Sequence, residues 1–338
     1  MKDEILRVKD LRVYYHTPEG PVKAVDGASF AVKEGERFGL VGESGSGKST
    51  AAFAILRLTK PPAFIHGGEV HLGDADLLKL SEADINRMRF SRISLIPQGA
   101  MNSLNPVMRI KGQLGDVIST HDKSMGKSAI ANRIGDLLEM VGLRRTVANM
   151  YPHELSGGMK QRVCIAMAIA LQPQVIIADE PTSALDVVTQ RQVMETLANV
   201  QEMLGASIIL VGHDMGLMAQ FVDTIGVMYA GRMVEIGSVE QLFSDPQHPY
   251  TQMLISSLPS LEIKGKFHGI PGITPSLRRL PPGCNFHPRC PYIMDHCKTD
   301  QPELVENVAG RWTACHLVTA DGAHELTAQT APALQTSD

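Results

Sequence analysis

The chain has 338 residues, 43% hydrophobic and 20% charged, with a formal net charge of -4. That length can bury the core of one large α/β domain plus a smaller appendix, and the composition excludes wholesale disorder. The mildly acidic balance gives no support for a broad nucleic-acid footprint, which usually shows as a basic patch or stripe. At the start, Asp3 and Glu4 stand where a signal peptide carries an apolar run, so no export signal is expected. The longest apolar stretches, such as 175–178 and 208–211, are strand-length, whereas a membrane span needs about 20 apolar residues. Any membrane role is therefore expected to be peripheral, through a partner.

Residues 1–250 read as one unit of alternating strands and helices. Residues 37–41 predict a short strand, followed by a Gly/Ser loop and a helix over 48–58 that Pro61-Pro62 stops. Residues 69–72, with a turn at Gly73-Asp74, suggest antiparallel ribbon. Ile130, Ile134, Leu137, Leu138 and Val141 recur at helical spacing, and Gly142 is the expected stop. Residues 175–178 and 207–211 read as buried parallel strands, and the helix between them carries Val193, Leu197, Val200 and Leu204 up to Gly205. This order predicts a parallel sheet covered on both faces, with ligands at the C-terminal ends of its strands. The helical middle, about 99–174, becomes an inserted subdomain. Past residue 245 prolines multiply and cysteines gather, predicting a small loop-rich domain over 251–318 held by a metal site rather than a large core. The Ala/Thr-rich stretch 319–338 is expected to be a disordered tail.

Three segments carry chemistry. Gly42-Glu43-Ser44-Gly45-Ser46-Gly47-Lys48-Ser49 has the pattern of a phosphate-binding loop. Its glycines let backbone N–H groups curl around phosphate oxygens, and the helix beginning at Lys48 adds its positive end. Lys48 is expected to reach the β and γ phosphates and Ser49 to serve Mg²⁺, with Thr50 completing the ATP-contacting run. The strand ending in Asp179-Glu180 delivers two carboxylates, Asp179 for the Mg²⁺ shell and Glu180 to polarise the attacking water. Ser156-Gly157-Gly158 opens a helix with Val163, Met167 and Leu171, a second anion-binding helix N-terminus.

The segment 155–162, Leu-Ser-Gly-Gly-Met-Lys-Gln-Arg, closely resembles the signature motif of ABC ATPases. In that family Ser156, Gly157 and Gly158 would cap the γ-phosphate of ATP held by the opposite subunit, so the resemblance implies a dimer. It also implies that Tyr15 stacks on adenine and that Gln98 touches Mg²⁺ and water. Ser183-Ala184-Leu185-Asp186 matches the D-loop, and His213 matches the switch histidine that contacts the γ-phosphate. The implied fold is a P-loop nucleotide-binding domain: a RecA-like parallel core, an antiparallel β subdomain and an inserted helical subdomain.

Met101–Pro106, Asp245–Thr251 and Gly283–Pro291 further resemble ATP-binding subunits of oligopeptide/dipeptide/nickel-type importers. This implies two membrane permeases, a second and often non-identical ATPase subunit, an extracytoplasmic binding protein, and a place on the cytoplasmic face of the membrane. The expected cargo is peptide, with oligosaccharide or nickel as alternatives; a soluble ABC ATPase outside transport is the competing class. One departure is Gly99-Ala100, where the family usually has an acidic residue and then Pro. Nearby Met88, Met101 and Met108 suit either a docking groove or core filling.

Cys284, Cys290, Cys297 and Cys315 leave five, six and seventeen residues between them. Four thiolates suit zinc or an iron–sulfur cluster, and spacing does not choose between them. Resemblance to the importer ATPases, some of which carry a cluster here, favours [4Fe–4S] over Zn²⁺. His287, His296 and His316 are alternative ligands, and Cys164 is expected to be a buried core thiol.

Overall fold

A computed structural model describes residues 3–99, 103–258 and 269–318. Ala100, Met101, Asn102 and the stretch 319–338 expected as a tail lie outside the described residues.

The chain opens with two long antiparallel strands, β1 (Glu4–Thr17) and β2 (Gly20–Lys33), which the sequence reading missed. β3 (Arg37–Val41) leads into α1 (Lys48–Ile55). That helix ends three residues before the expected 58: Leu56 caps it and Arg57 turns to φ 52°. β4 (Ala63–Leu72) pairs with β1 and extends the expected ribbon, and β5 (Ala75–Asp76) closes this sheet in the order β2-β1-β4-β5.

Next come α2 (Glu82–Met88), β6 (Ile93–Ile96), α3 (Ile110–His121), α4 (Lys127–Met140), α5 (Gly157–Ala168) and β7 (Val175–Asp179). Gly142 follows α4 at φ 70°, the left-handed turn expected of a stop. α6 (Val187–Leu204) ends at Gly205, also left-handed, before β8 (Ser207–Gly212), α7 (Met215–Phe221), β9 (Thr224–Tyr229) and β10 (Arg232–Ser238). α8 (Val239–Ser244) and α9 (Pro249–Ser256) precede two short strands, β11 (Val305–Val308) and β12 (Arg311–Thr313).

The main sheet has the order β11-β12-β10-β9-β3-β8-β7-β6. From β9 to β6 neighbours are parallel, and β7 and β8 are buried along their whole length. Alternate residues of these strands feed two cores. Ile176, Ala178, Ile208 and Leu210 join α3–α7 on one face. Val175, Ile177, Ile209 and Val211 join α1 and the β1–β2–β4 sheet on the other. The sheet is therefore covered on both faces, as its apolar runs require.

The C-terminal segment is loop-rich, as expected, but the expected metal staple has no support among the described residues. Its strands complete the main sheet: Trp312 pairs with Ile236 and Thr313 with Glu235 across β12 and β10. Phe286 is fully buried in the helical core beside Tyr229 and Tyr250, at centroid distances of 5.1 and 5.5 Å. Apolar burial and sheet pairing hold this segment in place.

Candidate active site

The loop from β3 to α1 is shaped by close backbone approach. A Cβ on Gly42 (φ 152°) would lie 2.2 Å from Met228 O, and one on Gly47 (φ 104°) 2.1 Å from Ala24 O. Neither position admits a side chain. Ser46 is buried, and its carbonyl accepts the Gly231 N–H at 2.9 Å. Lys48 is also buried; its Nζ donates to Gly42 O at 2.8 Å, Glu43 O at 2.9 Å and Ser46 Oγ at 3.4 Å. The loop thus curls around its own cation. Burial pulls the Lys48 pKa down, while Glu180, Asp179 and Glu43 act to raise it. Exposed Ser44 and Gly45 form the tip.

Beside this loop, Ser49 Oγ donates to Asp179 Oδ1 at 2.9 Å. Asp179 is fully buried, and its Oδ2 has no hydrogen-bond partner among the described residues. Burial pushes its pKa up, aided by Glu180 and opposed by Ser49 and Lys48. A buried carboxylate with an orphaned oxygen next to a hydroxyl is the oxygen donor set that a hard divalent cation takes, so these residues fit Mg²⁺.

Gln98, Glu180 and His213 come together at the strand ends. Gln98 Nε2 donates to Glu180 Oε2 at 2.8 Å, and His213 Nδ1 lies 3.3 Å from Glu180 Oε1. Glu180 has φ 44°, and its N–H is held by Val211 O at 2.9 Å. A left-handed non-glycine residue at the end of a buried strand is a costly conformation of the kind found at functional positions.

Tyr15, half-buried on β1, has its hydroxyl 3.3 Å from Thr50 Oγ1 at the start of α1. Ser156 is the N-cap of α5 and accepts from Met159 N at 3.3 Å; the helix ends at Ala168, short of Leu171. A Cβ on Gly158 would lie 2.6 Å from Thr189 Cγ2, so this first turn abuts α6. No hydrogen bond among the described residues joins Ser156–Gly158 to the phosphate loop. In the D-loop, Asp186 caps α6 by accepting from Thr189 N. Met88 packs against the core, and Met108 Cε lies 3.0 Å from where a Cβ on Gly112 would be.

Sequence reasoning missed three residues that reach this site from the C-terminal segment and α9. The Glu43 carboxylate is held by Arg289 and Thr274, and its backbone N–H donates to Tyr250 Oη at 2.8 Å. Tyr250 and Arg289 lie in the runs that carried the importer resemblance, the only signal that pointed to them.

The expected metal centre is overturned. Among the described residues no group of three or more His, Cys, Asp or Glu is arranged to hold a metal ion. The fold does gather the cysteines, since the other three thiols help raise the Cys315 pKa. Burial is the larger cause, pushing Cys290 to about 11 and Cys315 to about 12, and it raises Cys284 as well. Cys284 and Cys290 pack against the core and Cys297 is buried. His287 Nδ1 lies 3.0 Å from Cys284 O, and His316 packs edge-on against His296. Nothing among the described residues supports [4Fe–4S] or Zn²⁺ here. Cys164 is buried on α5, with its pKa pushed up to about 11.

A P-loop cation, a buried Mg²⁺-type carboxylate and a glutamate flanked by Gln98 and His213 on a two-faced parallel sheet define an ATP-hydrolysing cassette. The ABC transporter family profile matches residues 25–183, and that of the oligopeptide/dipeptide transporter C-terminal region matches 234–297. The chain belongs to the ABC transporter family and is an ABC ATPase. It is 42% identical to the oligopeptide transport ATP-binding protein AppD of Bacillus subtilis, over 95% of this chain and 99% of that one. It is 44% identical to OppD of Escherichia coli, another oligopeptide transport ATP-binding protein, over 93% of each chain. An ATP-binding cassette solved as a dimer in a post-hydrolysis state with ADP and Pi superposes with a TM-score of 0.62 at 29% identity, covering 69% of this chain and 98% of that one. No described helix is long and apolar enough to cross a membrane.

Proposed function

We propose that this chain is the ATP-hydrolysing subunit of a peptide importer, acting at the inner face of the membrane on permease subunits it does not contain. The observation that carries this reading is the convergence of Lys48, Asp179 and Glu180, the last flanked by Gln98 and His213. Near-full-length similarity to oligopeptide and dipeptide transport ATP-binding proteins supports the cargo and the partners. The ATPase domain spans about 1–250, and the C-terminal domain about 251–318.

In the proposed cycle Tyr15 faces the adenine, and the loop 42–50 wraps the phosphates with Lys48 as their counter-charge. Ser49, Asp179 and Gln98 would hold Mg²⁺, which neutralises charge on the β and γ phosphates. Glu180 orients and polarises the attacking water, while His213 and Gln98 fix its carboxylate and contact the γ-phosphate side. Ser156, Gly157 and Gly158 serve the nucleotide of the opposite subunit, so turnover takes a dimer, with a second ATPase that is often a paralogue. Closing and opening of that dimer drives the permease to alternate its access, and an extracytoplasmic binding protein supplies the cargo.

Two variants in the assembled complex test this. Glu180→Gln should keep ATP bound and lower turnover by about 10²-fold or more, since an amide can sit beside the water without taking its proton. Lys48→Ala should lose nucleotide binding as well as turnover. Normal steady-state turnover in Glu180→Gln would sink the assignment. Mass spectrometry of the partner binding protein's ligand should find peptides; a sugar or nickel there would redirect the cargo alone.

A further inference from the structure

The second residue of the phosphate loop is a carboxylate that the C-terminal segment holds. Arg289 Nη1 and Nη2 donate to Glu43 Oε2 and Oε1 at 2.7 and 2.9 Å, a two-pronged pair, and Thr274 Oγ1 donates to Oε2 at 2.7 Å. The guanidinium is 3% exposed and the Glu43 side chain 25%. Arg289 is itself fixed from several sides: Nε donates to Pro271 O at 2.9 Å and Nη1 to Tyr229 Oη at 3.3 Å, while the rings of Tyr229 and Phe286 lie beneath it. Burial alone would raise the Glu43 pKa. Bonds from Arg289 and Thr274, with the charges of Arg289 and Lys48, hold it below the usual range instead.

A permanent anion in a loop that must receive a polyphosphate is a liability. Glu43 and Lys48 attract each other, so a Glu43 released from Arg289 would repel the phosphates and compete for the cation that binds them. We propose that Arg289, with Thr274 and Tyr250, is a positioning residue for ATP binding: it neutralises Glu43 and turns it away from the phosphates, so the C-terminal segment sets the loop's affinity for nucleotide. This deepens the ATP-site reading above and rests on it. It also gives the importer-type C-terminal region a task at the nucleotide site.

The test is the affinity of the full-length chain for a fluorescent ATP analogue, with thermal midpoints measured alongside. Wild type should bind and Lys48→Ala should not; failure of that control would remove the ATP-site reading itself. Arg289→Ala should weaken binding about tenfold, and adding Glu43→Gln should restore most of the loss, because the unpaired anion is then gone. A folded Arg289→Ala with wild-type affinity would overturn the proposal, and so would a double variant no tighter than Arg289→Ala. If Arg289→Ala does not fold, Thr274→Val decides: it removes one bond to Glu43 at nearly constant shape. Binding weakened by about threefold supports the proposal, and unchanged affinity overturns it.

Discussion

His248 is an imidazole enclosed by protein, 1% exposed, tilted against Phe286 at 5.6 Å and accepting the Tyr250 N–H on Nδ1 at 3.0 Å. Burial pulls its pKa from 6.5 to about 3. Between those values the unfolded chain binds a proton that the folded chain refuses. Stability therefore falls as pH drops through that window, by up to about 1.4 kcal/mol per pH unit. The thermal midpoint should decline from pH 6.5 to 5, and His248→Asn, which keeps an acceptor but does not titrate, should flatten that decline. Equal slopes in the two proteins would show that the proton goes elsewhere. Asp179, Glu180, Lys48 and Ser156 could be singled out at this scale because each belongs to a short local motif. The Glu43–Arg289 pair was not: its partners lie 246 residues apart in sequence, and neither residue type is unusual alone.

α8 is a six-residue helix that starts where β10 stops, and Ser238 makes the junction. Its Oγ accepts from Gln241 N at 3.1 Å while Gln241 Oε1 accepts from Ser238 N at 2.9 Å, a reciprocal cap on an element too short to hold itself. Ser238→Ala should cost about 1 kcal/mol. That would appear as a lower denaturant midpoint with an unchanged slope; an unchanged midpoint would mean that packing alone fixes the helix. Legibility of the elements followed their burial. β3, β7 and β8 are covered on both faces, so their sequences are plain apolar runs. β1 and β2 carry charged and bulged positions, with register shifts at Val8/Leu11 and Val13/Tyr14 that break the two-residue period. β11 and β12, four and three residues long, have no pattern of their own and exist because β10 offers an edge.

Across the whole molecule, the C-terminal segment is fastened at a second buried charge. Glu235 on β10 is 0% exposed; it accepts from Arg311 Nη2 at 3.0 Å and from the backbone N–H groups of Gln247 and His248 at 2.9 and 3.0 Å. Arg311→Met removes the cation and leaves the anion enclosed, which should destabilise the protein by about 3 kcal/mol or more. Chemical denaturation of the full chain checks this, and a loss under about 1 kcal/mol would mean that solvent reaches Glu235. The cysteines misled the sequence reading for a related reason. Four thiols in a proline-rich stretch look like the holding device of a segment with no core, but this segment shares the core of the ATPase body.

The pairing of β12 with β10 has a consequence for how the chain is made. Synthesis runs from the N-terminus at about 5–20 residues per second, and domains begin to fold as they emerge. Among the described residues, every other strand of the main sheet except β11 has left the ribosome by Ser238, while Trp312 and Thr313 come much later. Through that interval the outer edge of β10 is an open row of N–H and C=O groups, a template for another chain. Neighbouring nascent chains on one message would display the same edge at the same stage. The segment translated last among the described residues is the one that closes it.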